Sequence, residues 1–174
     1  MNRNDIITRL QENHQSFISL IISLNENEFL FTANNKWTPG QQAEHILRSI
    51  KPVNRAFGLP HFILKIIFGG SNRPSKTFDA LVQKYKDKLA AGGKSSAPYI
   101  PKPVAFKDRE SICNSVLAIN EKICTQLNKC SEEQLDTYVL PHPLLGKLTL
   151  REMLYFNIHH VKHHEINVRA LVGR

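Results

Sequence analysis

Four of the eight histidines crowd into one run, Ile158-His159-His160-Val161-Lys162-His163-His164. A neutral imidazole offers the nitrogen lone pair that suits zinc, nickel and related divalent ions. On a helix, side chains four apart lie one turn apart on one face, so His160 with His164, and His159 with His163, are each spaced to grip one ion. The two pairs point about 100° apart, so only one can face a bundle interior. The first register continues through Met153, Phe156, Asn157, Val168 and Leu171, an apolar stripe interrupted by two imidazoles. The second continues through Glu152, Tyr155, Ile166 and Ala170 and is somewhat more polar.

Two imidazoles need a further ligand to hold an ion firmly. His45 is one candidate, because it shares a polar stripe with Gln42 and Ser49 beside Ile46, as a residue at a cavity edge would. His14 is the other, interrupting an apolar face between Leu10 and Phe17, although a hydrogen-bonded core histidine explains it more simply. His61 and His142 lie beside prolines in irregular segments and read as surface residues.

Helices must position these side chains. Residues 3 to 27 place Ile7, Leu10, Phe17, Ile21 and Leu24 at helical spacing, and Asn34 to Lys36 break the pattern. Thr38-Pro39-Gly40-Gln41 starts a second helix, with Thr38 as N-cap, Pro39 at the first position and Gln41 as capping-box partner. Pro52 ends or kinks it, and Gly58-Leu59-Pro60 breaks the chain before an apolar piece that ends at Gly69-Gly70. Phe78, Leu81, Val82, Tyr85 and Leu89 resume the helical period up to a Gly92-Gly93 cap. Gly92 to Pro103 reads as a surface strap or lid. Asp108 is placed to cap a helix carrying Ile112, Val116, Ile119, Ile123 and Leu127. Ser131 to Gly146 looks irregular, with no convincing strand, and Thr149-Leu150-Arg151-Glu152 is a capping box that opens a last helix to about Val172. Four long helices and a short helical insertion predict an all-α, four-helix bundle formed by one domain over residues 1–174.

Composition narrows the functions. The net charge of +8 over 174 residues, with 41% hydrophobic residues, describes a folding chain rather than a disordered one. The basic residues are scattered singly, without interleaved aromatics, so no nucleic-acid partner is expected; a basic rim attracting an anionic small substrate is the better use. The apolar run His61 to Phe68, broken by Lys65, is far too short to span a bilayer of ~18 or more residues, so no membrane partner is expected either. The chain carries no strong signal for a homodimer, for which the same apolar run is the candidate contact. Three cysteines and an N-terminus without a signal-peptide pattern point to the cytoplasm. Cys113 and Cys124, eleven positions apart on one helix and thus about 16 Å apart, cannot pair.

Two stretches resemble the DinB-like (YfiT-like) helical-bundle family. One is Lys36-Trp37-Thr38-Pro39-Gly40-Gln41-Gln42-Ala43-Glu44-His45-Ile46; the other is Leu148-Thr149-Leu150-Arg151-Glu152 leading into His160-x-x-x-His164-x-x-Asn167-Val168, where the family usually has Gln-Ile in place of Asn167-Val168. The resemblance implies an up-down four-helix bundle in which His45, His160 and His164 hold a divalent metal, commonly nickel or zinc. It also implies one of two chemistries: a thiol-S-transferase, in which the metal holds a low-molecular-weight thiol such as bacillithiol for attack on an electrophilic small molecule, or a hydrolase, in which it activates water against an amide or ester. The scattered Lys and Arg residues favour the transferase, since such thiols carry carboxylates. A hydrolase needs a positioned acid or base, for which Glu44 and Glu165 are the candidates, although both read more simply as surface charges. Trp37 either walls the pocket or, as the simpler reading, packs under the loop as a staple. A non-catalytic metal-binding module is the remaining alternative.

Overall fold

Five helix starts close on themselves through reciprocal side-chain caps, and these set where the chain turns. Asn2 with Asp5, Asn25 with Glu28, Thr38 with Gln41, Ser131 with Gln134 and Thr149 with Glu152 each form a capping box. The computed structural model describes residues 1–34 and 36–174. Its elements are α1 (Arg3–Ser23), α2 (Glu26–Leu30), α3 (Pro39–Phe57), α4 (His61–Phe68), α5 (Phe78–Ala90), α6 (Arg109–Leu127), α7 (Glu132–Thr137), β1 (Val139–His142), β2 (Gly146–Thr149) and α8 (Leu150–Val172).

The helices α1, α3, α6 and α8 form the bundle, with α6 packed against both α1 and α3, and α8 against the other side of both. Ile6, Leu10, Phe17, Ile21, Ile46, Ile50, Val116, Ile123, Leu154 and Val161 fill the interior between them. Helices α1 and α8 run together, since Met1 bonds the Tyr155 hydroxyl at one end and Ser16 bonds Glu165 further along. Helix α6 runs against α1, with Arg3 at the Asn128 carbonyl and Arg109 at the Leu24 carbonyl. Helix α3 runs against α8, as Gln42 meets His164 and His45 meets His160. The directions are therefore up, down, down, up rather than strict alternation. The excursion through α4 and α5 is long enough to carry the chain back along the bundle before α6 begins.

Local readings hold at several ends and fail at others. At the end of α5, Gly92 has φ +85°, and the amides of Gly92 and Gly93 bond the carbonyls of Leu89 and Lys88, a Schellman cap. Helix α3 passes through Pro52 without a break, because Val53, Ala56 and Phe57 beyond it are buried in the core. The first helix stops at Ser23 rather than residue 27, where the Asn25 capping box starts a separate turn of helix. Part of the break at Asn34 to Lys36 falls on Asn35, outside the described residues. Asp108 makes no cap hydrogen bond; a 3₁₀ turn over Phe106–Asp108 leads into α6 instead. The irregular segment contains the β1–β2 hairpin, pairing Val139 with Thr149 and His142 with Gly146. Its short run of Leu and Pro residues carries no alternation long enough to read as strand. All three cysteines are free and buried. On α4, Phe62, Ile66 and Ile67 stay exposed. No helix among the described residues is long and apolar enough to cross a membrane.

Candidate metal centre

Helix α3 carries His45 and helix α8 carries His160 and His164, and their antiparallel packing brings three imidazoles to one point inside the bundle. The Nε2 atom of His160 lies 3.1 Å from Nε2 of His45 and 3.1 Å from Nε2 of His164. All three residues are buried. The outer nitrogens are already committed. Nδ1 of His45 donates to the Tyr99 carbonyl at 2.7 Å, and Nδ1 of His164 donates to Oε1 of Gln42 at 3.0 Å. Carbonyl oxygens only accept, so both rings carry their proton on Nδ1 and turn an Nε2 lone pair inward. Both lone pairs point at Nε2 of His160, an arrangement satisfied by a proton on that atom or by a cation shared among the three.

A divalent ion fits this spacing. With metal–imidazole bonds of ~2.0–2.1 Å, two ligating nitrogens stand about 2.9 Å apart at a right angle and about 3.4 Å apart at the tetrahedral angle. The observed 3.1 Å falls between them. Burial depresses the pKa of His45, the hydrogen bond to Tyr99 opposing it only in part. Burial and then the neighbouring imidazoles push His160 and His164 well below the ordinary histidine range. The set is thus neutral at pH 7, as ligation requires. Among the described residues, His45, His160 and His164 are the one group of three or more His, Cys, Asp or Glu side chains gathered closely enough to hold an ion.

The centre opens on a cavity of about 330 Å³, at the low end for small-molecule sites. Val53, Ala56, Phe68, Leu140, Met153 and Phe156 form its apolar walls, with Tyr85 from α5 and residues 94–96 and 99 from the following loop closing it. Burial pushes the Tyr85 hydroxyl up to about 12, so it stays protonated. No Asp or Glu is among the described residues that line the cavity.

The second histidine pair is not among the three that converge, although the His163 ring lies 5.2 Å from that of His164. His163 lines the cavity and bonds Asn167, while half-buried His159 packs edge-on against Tyr85. His14 is a core histidine away from the cluster, its Nδ1 at 2.8 Å from the Leu10 carbonyl. Glu44 is paired with Arg48 at 2.6 Å, and neither it nor Glu165 lines the cavity. Glu165 is not a surface charge: it is buried and held by Ser16, Lys162 and Arg169, tying α1 to α8. His142 is not a surface residue either. Its Nδ1 accepts the Leu144 and Leu145 amides, its ring packs on Phe156, and burial lowers its pKa to about 4. His61 is half-buried, stacked on Tyr138. Trp37 is a wall rather than a staple. Its ring lies 4.8 Å from that of His45 and stacks over His164, while the position a staple would contact is the polar Gln42.

Two contributors escaped the sequence reading. Gln42 was visible as part of the polar stripe, but its bond to His164 depends on how α3 meets α8. The Tyr99 carbonyl had no signal at all, since every residue has one.

Comparison with known proteins gives the same architecture. The chain is similar to a solved structure described as "Crystal structure of TT2238, a four-helix bundle protein", at 14% identity and a TM-score of 0.59, covering 97% of this chain and 99% of that one. That likeness is one of fold. No curated protein matches the chain. The family model for the DinB superfamily matches residues 9–165, a span that contains all three convergent histidines, and the chain belongs to that superfamily.

Proposed function

We propose that residues 1–174 act as one domain, a metal-dependent enzyme that transfers a low-molecular-weight thiol, of the bacillithiol type, to an electrophilic small molecule. His45, His160 and His164 would hold the ion, nickel or zinc, through Nε2. When bound, a divalent ion with neutral ligands supplies Lewis acidity that favours a thiolate at neutral pH. The chain's residues do the rest. Tyr99 and Gln42 orient two of the ligands, the apolar walls exclude water from the electrophile, and Trp37 covers the triad.

The carrying observation is a convergent histidine triad facing an apolar cavity in which the described residues include no carboxylate. Both glutamates considered as a hydrolase's acid or base are engaged elsewhere, which leaves that role to His163, bonded to Asn167, or to His142, whose Nδ1 already accepts two backbone amides. The thiol is external, because burial pushes Cys113 up to about 11 and Cys124 to about 12, and no cysteine is among the described residues that line the cavity. Free cysteines agree with a cytoplasmic setting. The exposed Phe62, Ile66 and Ile67 support a homodimer contact on α4, which sedimentation of an Ile66→Glu variant checks.

The deciding experiment loads the protein with nickel or zinc and follows a panel of electrophiles, esters and amides with and without small thiols. Thiol-dependent consumption of electrophile is the expected result. Thiol-independent cleavage makes the protein a hydrolase, and no turnover leaves a binding module.

A further inference from the structure

His142 leaves one nitrogen unspent at the cavity wall. It ends strand β1 between Pro141 and Pro143, whose rings fix φ on either side, and it pairs with Gly146 across the hairpin. The turn folds back onto the side chain, and Nδ1 accepts the Leu144 and Leu145 amides, each at 3.1 Å. A nitrogen that accepts N–H groups carries no proton, so the neutral ring holds its proton on Nε2. Burial lowers the pKa to about 4, which keeps the ring neutral at pH 7. Nε2 meets no hydrogen-bond partner among the described residues, yet it is not sealed off as the unpartnered nitrogens of His14 and Arg109 are. The residue is only 9% exposed and lines the cavity, so the surface that Nε2 keeps opens on that space. The ring centroid lies 4.2 Å from that of Phe156, which stacks on His160 at 4.7 Å, so one aromatic side chain separates this donor from the triad.

We infer that the Nε2–H group of His142 is a hydrogen-bond donor that recognises substrate, and that the electrophile taken into the cavity is an uncharged carbonyl compound with an apolar body. Leu140, Met153 and Phe156 surround the donor with hydrocarbon, which suits such a body. A carbonyl oxygen accepts the N–H and brings no proton of its own. A hydroxyl would bring one that needs a further acceptor, and a carboxylate would bury a charge that a neutral ring does not balance. His142 is not a base in this position, because Nε2 already carries its proton and Nδ1 is spent on the turn. The inference names the class of electrophile; it rests on the cavity being the small-molecule site of the proposed function, but not on which reaction occurs there.

Two substitutions divide the ring between its nitrogens. Asparagine puts an amide oxygen near the place of Nδ1 and nothing at Nε2, whereas glutamine puts an amide nitrogen near Nε2 and nothing at Nδ1. The full-length protein, as purified, is titrated with 4-phenylbutan-2-one and with butylbenzene, the same skeleton without the oxygen, and Trp37 fluorescence reports binding. His142→Asn should weaken ketone binding about tenfold and leave butylbenzene within about twofold, the effect of one lost hydrogen bond. His142→Gln should keep ketone affinity within about threefold while lowering the denaturation midpoint, because the turn loses its acceptor. The infrared band of the ¹³C-labelled ketone carbonyl should shift to lower frequency on the native protein and return in His142→Asn. Long-range ¹⁵N spectra of the native protein should show His142 protonated on Nε2, with that proton moving as ketone is added; a ring protonated on Nδ1 overturns the inference without any substitution. So do native affinity in His142→Asn, equal losses for both ligands, or no ketone binding at all. A carbonyl shift that survives His142→Asn and disappears after dialysis against chelator also overturns it, since the oxygen would then sit at the triad. A missing thiol-dependent turnover with an intact His142 effect would instead sink the proposed reaction alone.

Discussion

His45 on α3 gives its Nδ1 proton to the carbonyl of Tyr99, 54 residues further along the chain, at 2.7 Å. That bond orients a candidate ligand and anchors the loop that closes the cavity, so the metal centre and the substrate wall share a support.

The triad makes a sharp prediction about metal. His45→Ala, His160→Ala and His164→Ala should each lower nickel or zinc affinity by about a hundredfold or more, because two imidazoles remain. His159→Ala, His163→Ala and His14→Ala should leave stoichiometry unchanged. Elemental analysis of untagged protein after dialysis measures this, and equal metal in His45→Ala and the native protein removes the proposed centre.

Gln42 should matter without touching an ion. Its Oε1 holds His164, and its amide nitrogen reaches the Trp37 carbonyl at 3.3 Å. Gln42→Leu should weaken metal affinity by about 10–100-fold, the usual effect of removing a partner that orients a ligand. Competition against a chromogenic chelator reads this, with circular dichroism showing an unchanged helix content.

Stability should carry the signature of His14. Burial lowers its pKa to about 4 from 6.5, the bond to the Leu10 carbonyl opposing only in part. The unfolded chain takes up a proton below about pH 6.5 while the folded chain refuses it until about pH 4. Stability from this group is therefore complete above pH 6.5 and is lost as pH falls, by about 1.4 kcal/mol per unit and roughly 3 kcal/mol in all. In urea denaturation from pH 7 to 4.5 with chelator present, His14→Leu should show a shallower acid loss than the native protein by that slope. Parallel curves would refute it.

Glu152 should be the costliest carboxylate to remove. It is fully buried, takes two bonds from Arg73 at 2.6 and 2.8 Å, accepts the Lys76 amide, and closes the Thr149 capping box. Burial pushes its carboxyl up, but Arg73 and the two amides outweigh that and hold it below the usual range. Glu152→Ala should destabilise the protein by about 3–5 kcal/mol, since a cap and a buried pair go together. The shift in denaturation midpoint measures it, with cavity ligand binding retained at low denaturant.

Much of this was legible along the chain because it is local. Helix periodicity, the Thr38 and Thr149 capping boxes and the Gly92-Gly93 stop depend on residues a few positions apart, and each stands where its spacing places it. The four-residue step between His160 and His164 likewise belongs to any helix. What was misread depends on what lies opposite. His142 stands between prolines in an irregular-looking stretch and Glu165 among polar residues of a helix, and they are buried because the hairpin folds onto α8 and because α1 runs alongside it.

The sequence by itself determined that there would be helices, where most begin, and which histidines share a face, since these follow from hydrogen bonding and side-chain spacing within a few turns. Tertiary structure decided that α3 runs against α8, that His45 rather than His14 meets the pair, and that the Tyr99 carbonyl and Lys94 border the cavity. Those outcomes depend on the direction and rotation of whole helices, which packing of the full core sets and no short stretch of residues encodes.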